Sequence, residues 1–264
     1  MRIAFLGTGS GGSRQRYHTC IYIELESNKL FLDASSGNSA LVNSHKLGIN
    51  LGEIDHLLLS HSHHDHARGL EYLESYQNDI ATKEALNVYG SEKTLLDVQG
   101  FFQFMDKPFV VNDEGVVRNN NLVTLKWHTI LQGRTFWINN MMINAHDANH
   151  IEGAMGWRIE CGNESVVFSG DTQFTENTIQ AARGSTVLIH EAYGLKQDAE
   201  RLKIVKHSSA YDAGLVAAES HVEQLIITHI SSAYHGKESL LLEEASKVYS
   251  GPIMVAYDLM DITI

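Results

Sequence analysis

The stretch His61-Ser62-His63-His64-Asp65-His66 puts four metal-competent side chains, His61, His63, Asp65 and His66, within six residues. The apolar run Ile54 to Leu59 before it reads as a buried strand, and Ala67-Arg68-Gly69-Leu70 after it opens a helical pattern. His61 and His63 alternate at strand spacing, so both can face one ion. Asp65 and His66 fall where the backbone turns and can aim at a second ion. Imidazole nitrogen with carboxylate oxygen is a ligand mixture that suits zinc, and mixed sites of this kind keep a position open for water. Two histidines alone would read as a surface loop. This order of ligands between a strand and a helix reads as two metals.

The whole chain sets bounds on the rest. Its 264 residues, 43% hydrophobic, suit one α/β domain with a large core, and two prolines with no Gly/Ser tract argue for a continuous domain spanning 1–264. Met1-Arg2-Ile3-Ala4-Phe5-Leu6 reads as a short strand running into glycines rather than a signal peptide, and no apolar run approaches membrane length. Cys20 and Cys161 are too few and too distant for a disulfide framework or a thiolate zinc site, which fits a reducing cytoplasm. A formal charge of −12 repels polyanions unless a basic patch or a bound metal offsets it.

Two metals need more ligands, each best placed at a strand end. His150 follows the strand-like Met141–Ala145 and precedes another strand, Ala154 to Glu160. Asp171 sits in Ser169-Gly170-Asp171-Thr172 after Val166-Val167-Phe168, where its two oxygens can bridge both ions. His229 ends the core strand Gln224–Thr228. Singly, a turn-capping Asp or a satisfied histidine is the commoner reading. Together the residues supply seven ligands: His61, His63, His150 and Asp171 for one ion, and Asp65, His66, His229 and the shared Asp171 for the other. This set resembles that of the metallo-β-lactamase superfamily, and the likeness runs from residue 1 to about 250.

The resemblance implies an αββα sandwich, two mixed sheets face to face with helices outside and a dinuclear centre of two zinc ions, or of manganese, at one sheet edge. Arg2–Leu6, Cys20–Leu25 and Lys29–Asp33 read as opening strands, with Gly7-Thr8-Gly9-Ser10-Gly11-Gly12 as the turn between the first two. No helix and no acidic residue follow that glycine run at the spacing a dinucleotide fold needs, which rejects a nucleotide fingerprint. Ser91–Phe104, Thr175–Arg183, His207–Ser220 and Lys237–Tyr249 read as helices, with Ser91 and Thr175 as N-caps.

Superfamily members with similar ligands cleave β-lactams, thioesters, phosphodiesters and sulfate esters, so the metal set does not choose the reaction. Leu188-Ile189-His190-Glu191-Ala192 and Lys206-His207-Ser208-Ser209-Ala210 narrow it, because they resemble the HEAT and HST motifs of the tRNase Z group. Phe168–Thr172, Gly156-Trp157-Arg158-Ile159 and Thr228-His229-Ile230-Ser231-Ser232-Ala233-Tyr234 resemble that group in the same order. The resemblance implies phosphodiester hydrolysis by a metal-activated hydroxide that Asp65 orients or deprotonates. His207, held by Glu191, then protonates the departing oxygen. A structural ion pair is the plainer role for Glu191 and His207. Asp33 is a candidate to hold a ligating histidine.

Departures from the tRNase pattern bear on the substrate. His150 and Asp171 lie 21 positions apart, filled by two strands and a turn, so the tRNA-gripping arm of the processing enzymes has no room there. Gly12-Ser13-Arg14-Gln15-Arg16-Tyr17 keeps two basic positions of the PxKxRN loop but lacks its Pro and Asn, and Ala233 replaces the Arg of HFSSRY. With the −12 charge, a small phosphodiester is a better substrate than tRNA. The layout resembles the compact phage anti-Pycsar proteins, which destroy cyclic pyrimidine mononucleotide alarm signals, and so implies a 3′,5′-cyclic nucleotide phosphodiesterase and a homodimer. Arg14, Arg16, Tyr17 and His18 are candidate nucleotide contacts, with a solvated loop the equal alternative. The segment from Gly100 to Asn121, aromatic and then polar, suits a lid, a loop reaching a partner subunit, or a plain helix end. A tRNA 3′-end endoribonuclease with a different exosite, and a non-catalytic metal-fold binding protein, are the alternatives from other classes; sulfatase or lactonase activity is a minor one.

Overall fold

The computed structural model describes residues 1–80, 84–104, 109–118 and 121–264. The opening strands form as their apolar runs predict: β1 (Arg2–Gly7), β2 (Cys20–Leu25) and β3 (Asn28–Leu32) pair antiparallel. The chain then crosses over through α1 (Ser39–Lys46) to β4 (His56–Leu58), parallel to β3. The run Ile54 to Leu59 is thus a strand over three residues only, because a tight helical turn, Leu51–Glu53, occupies the approach. After α2 (His64–Ala67) and α3 (Leu70–Asp79) come β5 (Leu86–Gly90) and α4 (Glu92–Phe104). The sheet is completed by β6 (Phe109–Asn112), β7 (Gly115–Arg118) and β8 (Val123–Thr129). Of the segment 100–121, residues 105–108 and 119–120 lie outside the described residues; the rest is the end of α4 and the β6–β7 hairpin.

The second sheet follows as β9 (Thr135–Ile138), β10 (Met141–Asp147), β11 (Met155–Cys161) and β12 (Glu164–Phe168), all antiparallel. Beyond α5 (Glu176–Ala182), β13 (Val187–Glu191) adds in parallel. Two helices, α6 (Ala199–Val205) and α7 (Ala210–Ser220), lead to β14 (Gln224–Thr228), and α8 (Glu238–Ser246) leads to β15 (Ile253–Val255). The last strand, β16 (Met260–Thr263), returns to pair with β1. The result is a nine-stranded sheet, β16-β1-β2-β3-β4-β5-β8-β7-β6, and a seven-stranded one, β15-β14-β13-β12-β11-β10-β9.

Strand alternation explains how these sheets stack. On β11, Trp157 and Ile159 point one way and join Ile3, Phe5, Ile143, Phe168 and Ile226 in an inter-sheet core, with Trp157 fully buried. The opposite face of the first sheet meets α1, α3 and α4 through Phe31, Leu57, Leu70, Leu73 and Phe102. The opposite face of the second meets α5, α7 and α8 through Val167, Leu188, Ile179, Val216 and Leu241. These are the layers of an αββα sandwich. Thr175 caps α5 as expected, its hydroxyl accepting from the Thr178 amide, and Ser91 caps α4 through the Thr94 amide at 3.1 Å. The helix expected from His207 starts at Ala210 instead, because Ser209 forms a capping box with Asp212 and leaves His207 in the preceding loop. No helix among the described residues is long and apolar enough to cross a membrane.

Candidate metal centre and proton relay

The C-terminal ends of β4, β12, β13 and β14 open on one edge of the sandwich, where parallel strands leave a crevice. Just past β4, Ser60 and His61 are fully buried, and His63 has extended backbone (φ −60°, ψ 150°) before α2 carries Asp65 and His66 inward. His150 arrives from the loop after β10. Asp171 follows Gly170, whose φ of +59° turns the chain so tightly that a Cβ there would lie 2.6 Å from the Met155 carbonyl. His229 follows β14 with a φ of +53°, a left-handed backbone that costs a non-glycine residue about 1–3 kcal/mol and is commonest at functional sites. Over Asp65 runs the glycine-rich turn, where a Cβ on Gly11 would meet its Oδ2 at 3.1 Å.

The side chains converge as two sets. The ligand atoms of His61, His63, His150 and Asp171 lie within 4.8 Å of one another, and so do those of Asp65, His66 and His229. In the first set, His63 Nδ1 lies 3.0 Å from His61 Nε2 and 3.1 Å from His150 Nε2. Ligands on a zinc tetrahedron at about 2.0–2.1 Å stand roughly 3.3 Å apart, so the spacing fits one cation. Asp171 Oδ2 is central to both sets, 3.2 Å from His66 Nε2, 3.2 Å from His229 Nε2, 3.7 Å from His61 Nε2 and 3.9 Å from His150 Nε2.

Hydrogen bonds behind the rings fix which nitrogen faces the crevice. His66 Nδ1 donates to Asp33 Oδ2 at 2.7 Å, and Asp33, fully buried with φ +58°, also accepts from the Ser60 amide and hydroxyl, each at 2.7 Å. His150 Nδ1 donates to the Lys206 carbonyl at 2.9 Å. Both rings therefore turn Nε2 inward, the atom that would offer its lone pair to a cation once the ring is neutral. His66 Nε2 and Asp171 Oδ1 are buried without a hydrogen-bond partner, as is His229 Nδ1, although that ring faces Asp171 through Nε2. Orphaned buried ligand atoms around shared carboxylates are what a cation pair would satisfy, so the residues present fit a dinuclear metal centre.

The electrostatics agree. Burial, with the neighbouring imidazoles, keeps His61 and His150 low and holds His63 down at about 4, so all three are neutral, the form that binds metal. Burial also opposes charge on His66, but Asp171, Asp65 and Asp33 outweigh it and raise that ring well above its ordinary value. Burial would raise Asp65 and Asp171, yet the surrounding histidines hold both carboxyls below the usual range. Negative charge is concentrated where cations would sit.

Beside this centre, His207 Nδ1 donates to Glu191 Oε1 at 2.7 Å, and the same oxygen accepts from the Thr172 amide at 2.8 Å. Glu191 is fully buried at the end of β13. Burial pushes His207 down, but the Glu191 charge and hydrogen bond prevail and lift the ring to about 9. One ring nitrogen of His207 lies within 4.8 Å of ligand atoms on Asp171 and His229. A charged imidazole so placed can give a proton to a group held at the centre.

The candidate substrate residues are more scattered. The Arg16 guanidinium is engaged by the Thr8 hydroxyl, the Ala256 carbonyl and Glu238, so it braces the loop. Arg14 and Tyr17 are exposed, with Lys46 Nζ 5.3 Å from the Tyr17 ring centroid. His18 comes nearest, its Nδ1 2.5 Å from Ser36 Oγ and its ring 5.7 Å from that of His64. Sequence reasoning missed the backbone carbonyl of Lys206, Ser60 and Tyr193, whose ring stacks on His207; only Tyr193 left a signal, as an aromatic directly after His190-Glu191-Ala192.

Comparison with known proteins gives a consistent picture. The family model described as anti-Pycsar protein Apyc1 matches residues 1–200. Ribonuclease Z of Methanosarcina mazei is 26% identical over 304 aligned positions, spanning 100% of this chain and 98% of the relative. The metallo-β-lactamase fold protein YhfI from Bacillus subtilis superposes with a TM-score of 0.80 at 20% identity, covering 99% of this chain and 98% of its own. Human short-form tRNase Z superposes at 0.77 with 17% identity, covering 100% and 99%. At such identities the two structures speak for the shared fold.

Proposed function

From a chain that belongs to the anti-Pycsar Apyc1 family of the metallo-β-lactamase superfamily, and so is a metal-dependent phosphodiesterase, we propose a di-zinc enzyme that hydrolyses small phosphodiesters, 3′,5′-cyclic nucleotides foremost. Cyclic pyrimidine nucleotides that serve as immune signals fit this reading. The observation that carries it is the short path from His150 to Asp171, which β11, β12 and their turn use up, leaving no chain there for an arm that grips a large RNA. The 304-position alignment with ribonuclease Z exceeds the 264 residues of this chain by 40, so the relative carries segments that this chain lacks.

In this reading His61, His63, His150 and Asp171 hold one cation, and Asp65, His66, His229 and the shared Asp171 hold the other. Bound divalent cations would supply Lewis-acid charge for phosphoryl oxygens and acidify water towards a pKa of about 7. Asp65, with Oδ2 3.3 Å from His229 Nε2, orients the attacking water or takes its proton. His207 protonates the departing ribose oxygen, and Glu191 keeps its Nδ1 engaged so that Nε2 is the proton-bearing nitrogen turned to substrate. His18, the candidate nearest the crevice, contacts the nucleotide. We also take the enzyme to be a cytoplasmic homodimer, which light scattering of the purified protein tests.

The test is chromatographic. Zinc-loaded protein, Asp65→Ala and His207→Ala are each incubated with a panel of 3′,5′-cyclic nucleotides and with a 3′-extended pre-tRNA. Turnover of cyclic nucleotides by the parent, lost in both variants, with intact pre-tRNA, is the expected result. Cleavage of the pre-tRNA with inert cyclic nucleotides would favour the second reading, a tRNA 3′-end endoribonuclease, for which the full-length likeness to ribonuclease Z speaks.

A further inference from the structure

Glu191 secures the His207 ring at one atom only, Nδ1, and a single hydrogen bond leaves the tilt of an imidazole about that atom undetermined. The tilt is set from another side. Tyr193 lies face to face with His207, ring centroids 4.4 Å apart and planes 10° from parallel. The stack is itself built in: the Tyr193 amide donates to the Ser208 carbonyl at 3.0 Å, and the Ala210 amide donates to the Gly194 carbonyl at 2.9 Å. The two chain segments that carry Tyr193 and His207 are thus tied to each other through the backbone. His229 closes the arrangement, its ring 5.2 Å from His207 and 6.0 Å from Tyr193. Arg201 of α6 reaches to 5.6 Å from the Tyr193 ring centroid.

We propose that Tyr193 is a positioning residue for proton donation, holding the His207 imidazole in the plane that aims its free nitrogen at the leaving oxygen. The inference rests on the phosphodiesterase reading above. A phenyl ring would stack equally well, whereas an aliphatic side chain of similar volume fills the space without fixing the ring plane. Misaiming of a catalytic group by about 1 Å costs on the order of 100-fold.

The experiment compares the zinc-loaded parent, Tyr193→Phe and Tyr193→Leu on two kinds of diester. A cyclic nucleotide expels a ribose alkoxide, which needs a proton, while bis(4-nitrophenyl) phosphate expels a stable phenolate, which does not. Tyr193→Leu is expected to lose about 10- to 100-fold in kcat on the cyclic nucleotide with little change on the nitrophenyl diester, and Tyr193→Phe to stay near the parent on both. In metal-free protein, the His207 ring proton signal should show the upfield ring-current shift of a stacked imidazole in the parent and in Tyr193→Phe, lost in Tyr193→Leu. Equal losses on both diesters, or a kcat on the cyclic nucleotide that Tyr193→Leu leaves intact, would overturn the proposal. If the parent leaves every cyclic nucleotide intact, the substrate reading fails, and a 3′-extended RNA with its own ribose leaving oxygen decides on Tyr193 in the same comparison.

Discussion

Replacing Asp33 by Asn acts on the two hydrogen bonds that its Oδ2 accepts, from the His66 ring and from the Ser60 hydroxyl, which can turn to accept instead. Asp33 has a φ of +58°, and Asn is among the few residues that accept a left-handed backbone, so the strand end keeps its shape. The Asn oxygen can still accept from the Ser60 amide, a 2.7 Å bond in the parent. The new NH2 group, however, faces His66 Nδ1 where a carboxylate oxygen stood at 2.7 Å. Two donors cannot face each other, so His66 must shift to the tautomer with its proton on Nε2, the atom 3.2 Å from Asp171 Oδ2. The lone pair meant for a cation is then blocked. Loss of a carboxylate behind a ligating histidine costs typically about 10- to 100-fold in metal affinity, or about 1.4–2.8 kcal/mol. Competition between the protein and a chromogenic zinc chelator measures this directly. Asp33→Asn should weaken one of two zinc sites by that factor and leave the other within a fewfold. Two unchanged affinities would refute both the tautomer argument and the place of His66 in the centre.

Other outcomes follow from the same geometry. Asp171→Asn removes the charge of the oxygen that lies within 3.9 Å of four imidazoles, so elemental analysis after dialysis should show fewer than one zinc per chain instead of two; retention of two would remove Asp171 from its bridging place. In chelated protein the His207 ring should titrate near 9 by NMR, and Glu191→Gln should move it downward. Because the folded-state value lies above the ordinary 6.5, the stability His207 contributes is fully present below pH 6.5 and lost as the pH rises through about 9. Trp157→Ala empties the middle of the inter-sheet core and should cost about 3–5 kcal/mol in urea denaturation, with the candidate metal-binding residues still in place when folded.

The sandwich was implied by the resemblance of the ligand set to the superfamily's, and the local reading agreed with it because the strands are short apolar runs bounded by glycines and metal-competent residues. The opening strands and the caps Ser91 and Thr175 are local matters, decided within a few residues. The seven metal-competent residues come together because His61, Asp171 and His229 follow the ends of strands that open on one edge, while α2 carries Asp65 and His66 there and the loop after β10 brings His150. What stayed hidden depends on distant partners. Arg16 looked like a free cation, yet Glu238 lies 222 positions away and takes up its guanidinium. The His207–Ser220 helix was read three residues too early because a capping box overrides the alternation of apolar residues. The Lys206 carbonyl has no side-chain signature at all, since any residue supplies one.

That carbonyl has a consequence beyond orienting His150. Lys206 ends α6 in a left-handed conformation (φ 55°, ψ 54°), and the same turn closes with the His207 amide donating to the Leu202 carbonyl at 3.0 Å. One helix end therefore fixes both the His150 ring, proposed as a ligand, and the backbone of His207, proposed as the proton donor. The two cannot be tuned separately from α6: on the proposed roles, substitutions there that loosen ligation by His150 should also displace His207. Double mutants pairing α6 with either group should be non-additive by about 0.5–3 kcal/mol. The helix has a single adjustable posture, and two chemical requirements must both be met by it.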